Sequence, residues 1–152
     1  MLRSETVLIR PAEPEDASAF LRLLEACHLP TAGAAACLPT TLLAWDADQL
    51  AGSAALEVYG PVALLRSVAV HPTRRGQGLG RNLVKAALKL AQDLGVEQVY
   101  LLTETAADYF PRFGFVPVPR DQVDARVQGS VEFTSACPAS ARAMVLTLPI
   151  SI

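Results

Sequence analysis

Charge, cysteine and long apolar runs are all scarce in this chain, and each scarcity excludes something. Charged residues make up 18% of the 152 positions, against roughly 25% in globular chains. The net charge of −2 leaves no basic stripe of the kind that tracks a nucleic acid, so nucleic acid is not an expected partner. No apolar run approaches the ~18 residues of a membrane span. The N-terminal segment carries Arg3 and Glu5 instead of an apolar signal core. No membrane association is therefore expected, and the chain reads as cytoplasmic. Cys27, Cys37 and Cys137 are odd in number, form no CxxC pair and have no histidine at zinc-ligand spacing. They read as reduced, buried thiols, and no metal is expected. His28 precedes Leu29-Pro30 and His71 precedes Pro72, so both read as turn residues.

What the chain does have is apolar material in periodic runs. Apolar residues make up 51% of the sequence, enough for one domain over residues 1–152 with a large core, and compatible with a homodimer interface. Thr6 to Arg10 reads as a strand and Pro14 to Ala26 as a helix. Thr31 to Leu38 is a small-residue segment and a candidate lid, and Thr41 to Trp45 reads as a second strand. Asp46-Ala47-Asp48 turns the chain into Leu50 to Tyr59, and Gly60-Pro61 turns it again into Leu64 to Val70, which His71-Pro72 closes. Leu79, Leu83, Ala86, Ala87, Leu90 and Leu94 recur at intervals of three and four, an apolar stripe on a helix that Gly95 ends. Gln98 to Leu102 reads as the next strand. The order is that of an α/β domain.

Between the strand at Leu64 to Val70 and the helix from Leu79 lies Arg75-Gly76-Gln77-Gly78-Leu79-Gly80. Glycines there leave the first amides of the helix, and the positive end of its dipole, facing an anion. A dinucleotide fingerprint would need a third glycine at position 81, which is Arg81. An ATP-type loop would need Gly-x-x-x-x-Gly-Lys-Ser/Thr, which is absent. The arginine at 66 stands inside an apolar run, where it is expensive to bury unless it meets an anion. It is a candidate contact for a substrate carboxylate, or else half of an ion pair with Glu57 or another acid.

Arg75-x-x-Gly78-x-Gly80 resembles the acetyl-coenzyme A signature of the GNAT N-acetyltransferases, and Ala106 to Phe115, ending in Gly114-Phe115, resembles that family's closing helix. The resemblance covers nearly the whole chain. It implies a GNAT fold, a central mixed and mostly antiparallel sheet splayed between strands 4 and 5 and flanked by helices. It also implies acetyl-CoA as cosubstrate and a small-molecule amine as acceptor. Backbone at Val68, Ala69 and Val70 would hold the pantetheine arm and the thioester carbonyl, and Arg75, Gly76, Gln77, Gly78, Leu79, Gly80 and Arg81 would hold the pyrophosphate. Glu57 and Glu104 are the acids nearest the implied cleft and are the candidate general bases.

One position departs from the pattern. The family's tyrosine, four residues before the final glycine, is Phe110 here, at a place that borders the cofactor. Tyr109 is adjacent, but in a helix of 3.6 residues per turn it is expected to point elsewhere. Pro111 conflicts with a regular helix, so that element is expected to begin late or to be irregular. Tyr59-Gly60 with Ala63 to Val70, and Leu101 to Thr103 with Thr105-Ala106, are similar to the amino-acid N-acetyltransferase branch. Glu132 to Met144 is most similar to the small acetyltransferases associated with bacterial arsenic resistance. Ser140 is a candidate substrate contact in that tail. The alternatives are a biosynthetic enzyme like the N-acetylglutamate synthases, and a non-catalytic acetyl-CoA-binding module, which Phe110 favours.

Overall fold

A computed structural model describes residues 7–104, 106–136 and 141–149. The elements follow the runs above, with three consecutive strands before the second helix: β1 (Val7–Pro11), α1 (Ala17–Ala26), β2 (Thr41–Asp46), β3 (Gln49–Tyr59), β4 (Val62–Val70), α2 (Leu79–Asp93), β5 (Gln98–Thr103), β6 (Val116–Val118), α3 (Ala125–Gln128) and β7 (Arg142–Thr147). The strands form one seven-stranded sheet in the order β1-β2-β3-β4-β5-β7-β6. Every neighbouring pair is antiparallel except β4 and β5, which are parallel.

That exception positions the site. The β4–β5 ladder holds only from Val62 opposite Gln98 to Leu64 opposite Tyr100. Beyond it the two strands part, and among the described residues no strand pairs with the edge of β4 from Leu65 to Val70 that faces β5. The sheet is therefore splayed there, as the family resemblance implies.

Helices cover both faces. On one side α2 buries Leu79, Leu83, Val84, Ala87, Leu88 and Ala91 against Ala54, Leu56, Ala63, Leu65, Val99 and Leu101. This face is turned about one residue from the expected stripe: Val84, Leu88 and Ala91 are fully packed, whereas Leu94 lies past the helix end and is 49% exposed. On the other side α1 buries Phe20, Leu23 and Leu24 against Leu43, Ala55 and Ala69.

The alternation along β4 carries a further detail. Ala63 and Leu65 face α2, yet so do Val68 and Val70, while Ala69 faces α1. One extra residue has been inserted: Ser67 and Val68 together oppose Ala54, the register passing from Ala55–Arg66 to Ser53–Ala69. Ser67 holds a left-handed φ of 57°, and its carbonyl accepts a 2.7 Å hydrogen bond from Ser53 Oγ. A bulge flips the pleat and turns backbone groups out of the ladder, here beside the splay.

The closing element over Ala106 to Phe115 starts late and irregularly, as Pro111 leads one to expect: it is a single 3₁₀ turn, Phe110–Phe113, because a helix begun at Ala106 would carry Pro111 in its interior, where its missing N–H breaks the ladder, whereas in a first turn it is tolerated. One expectation is corrected. The small-residue segment from Thr31 is tied down, not left as a loose lid. Ala35–Thr40 is a 3₁₀ turn, Thr40 Oγ1 donates to Leu56 O at 2.5 Å, and Thr41 Oγ1 donates to Cys37 O at 2.7 Å.

Candidate active site

The splay is flanked at its open end by the start of α2. Gly76 and Gly78 take φ of 84° and 81°, a region that costs an L-residue roughly 1–2 kcal/mol. Gly78 is the N-cap of α2, no side chain caps the helix, and no acid stands in its first turn. The amides that a cap would satisfy are thus left for an outside acceptor. Arg75 ties the loop to the sheet, its Nε donating to Val70 O at 3.1 Å. Arg75, Gly76, Gln77 and Gly78 are exposed, as is Arg81, while Leu79 is buried and anchors the helix. This cradle, continuous with the bulged edge at Val68, Ala69 and Val70, fits a phosphate-bearing cosubstrate whose arm runs into the gap between β4 and β5.

The closing turn reverses the expected roles of two aromatic residues. Phe110 is buried in the core beneath α2, 5.8 Å from the Phe115 ring. Tyr109 carries its hydroxyl to the mouth of the phosphate loop: a Cβ at Gly80 would lie 3.7 Å from Tyr109 Oη and 3.3 Å from Val70 Cγ2. Arg112 stacks on the Tyr109 ring at 4.3 Å and donates from Nε to its carbonyl at 2.8 Å. An α-helical spacing predicts the opposite, and the late 3₁₀ start is why it fails.

On the α1 face of the sheet a cavity of about 470 Å³ is lined by Gly33, Cys37, Glu57, Tyr59 and Ser130, among others. Its walls come from the segment before β2, the end of β3 and the segment after α3. A larger cavity of about 600 Å³, between α1 and the turn joining β2 to β3, is lined by exposed Arg22 and Asp48 and contains no buried acid.

Glu57 accepts from Arg66 Nη1 at 2.7 Å and from the Tyr59 hydroxyl. Burial alone would raise its carboxyl above the ordinary range. Hydrogen bonds from Tyr59, Ser130 and Arg66 and the guanidinium charge outweigh burial and hold it below that range. Burial, and then the bond to Glu57, push the Tyr59 phenol up to about 12, so it stays a donor. Burial, and then the neighbouring Glu57 charge, push the Cys37 thiol up to about 11.

Arg66 is the hub beneath this cavity. Its side chain is 0% exposed and every guanidinium nitrogen is occupied. Nη1 meets Glu57, Nε meets Glu132 Oε2 at 3.3 Å and Ser67 Oγ at 3.2 Å, and Nη2 donates to Ala32 O at 2.8 Å and Pro30 O at 3.3 Å. Of the two roles its sequence position allows, the structure forms the ion pair.

Glu104 is exposed, one residue past β5 and four past the Tyr100–Leu64 pair. At about 3.3 Å per residue that puts it roughly 13 Å along the strand from the level of Glu57, so the two acids do not meet. Ser140 and Cys137 lie outside the described residues. Ser53, Ser67, Ser130 and Glu132 were not singled out from the sequence; a bulge and a long-range ion pair leave no local pattern to find. Among the described residues no cluster of His, Cys, Asp and Glu could hold a metal ion, and no helix is long and apolar enough to cross a membrane.

A phosphate cradle at a helix start, opening on a splayed β4–β5 gap with a bulge beside it, defines an acetyltransferase of the GNAT class. The acetyltransferase (GNAT) family model matches residues 6–115, well over half of the chain, and the chain belongs to that family. An amino-acid acetyltransferase of Mycobacterium tuberculosis is 36% identical over 81 residues, 52% of this chain and 45% of that protein. Among solved structures, a Mycobacterium tuberculosis protein in complex with CoA has a TM-score of 0.79 at 24% identity, covering 93% of this chain and 99% of that one. N-acetylglutamate synthase from Neisseria gonorrhoeae, complexed with coenzyme A and N-acetyl-glutamate, has a TM-score of 0.78 at 19% identity, covering 94% of this chain and 35% of that one. A GNAT family acetyltransferase from Brucella melitensis in complex with acetyl-CoA has a TM-score of 0.62 at 26% identity, covering 72% and 82%. The uncapped α2 terminus and the bulged β4 edge fit acetyl-CoA as cosubstrate.

Proposed function

We propose that this chain acetylates the primary amine of a small, amino-acid-like molecule at the expense of acetyl-CoA. The observation that carries the reading is the ionised Glu57, which lines a cavity on one face of the sheet at the level where β4 and β5 begin to part. Acetyl-CoA supplies an activated acetyl thioester when bound. The residues do the rest. Amides of Gln77 to Arg81 hold the pyrophosphate, and the bulged edge at Val68 to Val70 presents backbone donors to the thioester carbonyl, where negative charge develops. Glu57 orients the incoming ammonium and accepts its proton, directly or through water. The amine nitrogen then forms the new C–N bond as the C–S bond breaks; the Tyr109 hydroxyl gives its proton to the departing sulfur, and the second proton shed by the nitrogen restores that hydroxyl. With a thiol pKa of about 8.5, that sulfur needs only modest help.

Glu57 is a weak base for such a task, because a base is most effective with a pKa near the working pH. Its part is chiefly to bind and orient the amine. Glu104 and Ser140 are retained as further candidate contacts from the sequence. A non-catalytic binding module, which Phe110 favours on sequence alone, loses its argument once Tyr109 brings a hydroxyl to the same mouth.

The finer reading, a detoxifying enzyme of the arsenic-resistance type working in the cytoplasm as a homodimer, rests on the likeness of residues 132–144 and on composition. A biosynthetic enzyme like the N-acetylglutamate synthases, with glutamate as acceptor, is the competing assignment. Thiol release from acetyl-CoA, measured over free amino acids including glutamate and its phosphinic and arsinic analogues, tests both. Turnover of the analogues alone supports detoxification, and turnover of glutamate supports biosynthesis. Coenzyme binding without release for any amine defeats the enzymatic reading.

A further inference from the structure

The bulge in β4 turns on a residue that does not favour its own conformation. Ser67 carries a side chain yet holds φ at 57°, a left-handed geometry that an L-residue keeps only where its surroundings impose it. Two hydrogen bonds impose it here. Arg66 Nε donates to Ser67 Oγ at 3.2 Å, and Ser53 Oγ donates to the Ser67 carbonyl at 2.7 Å. Ser53 is 0% exposed, and its bond runs straight from β3 to the inserted residue of β4. Beside it, Gly52 lets the two strands close up: a Cβ there would lie 2.9 Å from Ala69 O and 2.7 Å from Leu83 Cδ1. β3 thus grips β4 at the bulge and again two residues on.

What Ser53 fixes reaches beyond Ser67. Across a planar trans peptide the carbonyl and the following N–H point in opposite directions. The Ser67 carbonyl is turned to Ser53 on β3, so the Val68 N–H is turned away from β3, toward the edge of β4 beside the splay. A hydrogen bond to the carbonyl also polarises the peptide and strengthens its N–H as a donor, by about 10–30%. Resting on the acetyltransferase reading above, we infer that Ser53 is a positioning residue: it aims and polarises the Val68 amide that receives the thioester carbonyl, without itself touching the cosubstrate. Negative charge grows on that carbonyl oxygen as the amine adds, and a donor already held in place meets it without reorganising. Ser53 therefore serves the reaction through the peptide between Ser67 and Val68, from the far side of the strand.

The test needs no acceptor amine. Acetyl-CoA labelled with carbon-13 at its carbonyl, and CoA as the matched ligand without one, are bound to the purified chain. Infrared difference spectra read the labelled carbonyl, whose stretch falls in frequency as hydrogen bonding polarises it, and calorimetry reads both affinities. In the wild type the band is expected below that of free acetyl-CoA. In Ser53→Ala it should move back toward the free value. Acetyl-CoA affinity should fall by about two- to tenfold, the worth of one hydrogen bond, with CoA affinity changed by less than about twofold. A band that Ser53→Ala leaves where the wild type has it overturns the inference. So does an equal loss of affinity for acetyl-CoA and CoA, the mark of a strand that has merely loosened. Should Ser53→Ala not fold, Ser53→Cys, close in shape but a weak donor, is read by the same two outcomes. A shifted wild-type band that does not respond to the variant sinks this inference alone, whereas failure of the wild type to bind acetyl-CoA sinks the acetyltransferase reading with it.

Discussion

Glu57 owes its charge to the groups that donate to it, and the pH behaviour of the site follows from that. Its folded pKa is depressed, so the carboxylate is present throughout the neutral range and is lost only as pH falls below the ordinary carboxylate value of about 4.3. Tyr59→Phe removes one of the donors. The pKa of Glu57 should then rise, and the acid limb of kcat/KM should move to higher pH with the neutral rate little changed; a pH–rate profile of the two proteins checks this. Glu57→Gln keeps the shape but not the charge. It should reduce kcat/KM by about 10²-fold or more, as misplacing a bound reactant does, while calorimetry finds acetyl-CoA affinity unchanged. Tyr109 is the other residue with a clear test. Tyr109→Phe should lower kcat by about tenfold to 10²-fold, the small end of the acid–base range because a thiolate leaves readily. Phe110→Tyr should not rescue it, since that ring is buried in the core; steady-state kinetics of the single and double variants separate the two positions.

Among the elements, the start of α2 is the most exacting. Gly78 stands at φ 81°, and a Cβ there would meet nothing within 4 Å, so a substitution strains the backbone without a clash. Gly78→Ala should therefore cost roughly 1–2 kcal/mol of folding stability, and should weaken acetyl-CoA binding by a larger factor because the cradle amides lose their aim. Chemical denaturation and calorimetry on one protein preparation give the two numbers. The elements themselves were largely legible in the sequence. Apolar runs bounded by Gly60-Pro61 and His71-Pro72 marked β4, and the three-and-four spacing with Gly95 marked α2. The closing element was not: Pro111 announced a disturbance, but whether the segment shortens, kinks or becomes 3₁₀ depends on how the Phe110, Phe113 and Phe115 rings pack, with centroids 5.8–6.3 Å apart where Phe110 meets the other two.

Across the whole molecule, Arg66 joins parts of the chain that are remote in sequence: Pro30 and Ala32 before β2, Glu57 on β3, and Glu132 after α3. Truncating one partner of a buried ion pair leaves the other charge uncompensated. Arg66→Met should thus destabilise the fold by roughly 3–5 kcal/mol, lowering Tm on the order of 10 °C for a chain of this size. The same network sets acid stability. Glu57 contributes stability above the ordinary carboxylate pKa that disappears as pH falls through its lower folded value. The wild-type Tm should therefore drop below about pH 4.3, and Glu57→Gln should flatten part of that drop; melting curves over an acid series check both.

The sequence by itself determined the α/β order, the phosphate loop with its spacing, and the presence of an out-of-place arginine at 66, because all three are written in residues adjacent along the chain. Tertiary structure alone decided which hydroxyl reaches the phosphate loop, that β4 inverts its pleat at Ser67, and that Arg66 is shared between Glu57 and Glu132. Those outcomes depend on how a bulge, a 3₁₀ turn and segments 66 residues apart meet in space. Coulombic attraction and packing act over distance, and local periodicity does not encode them.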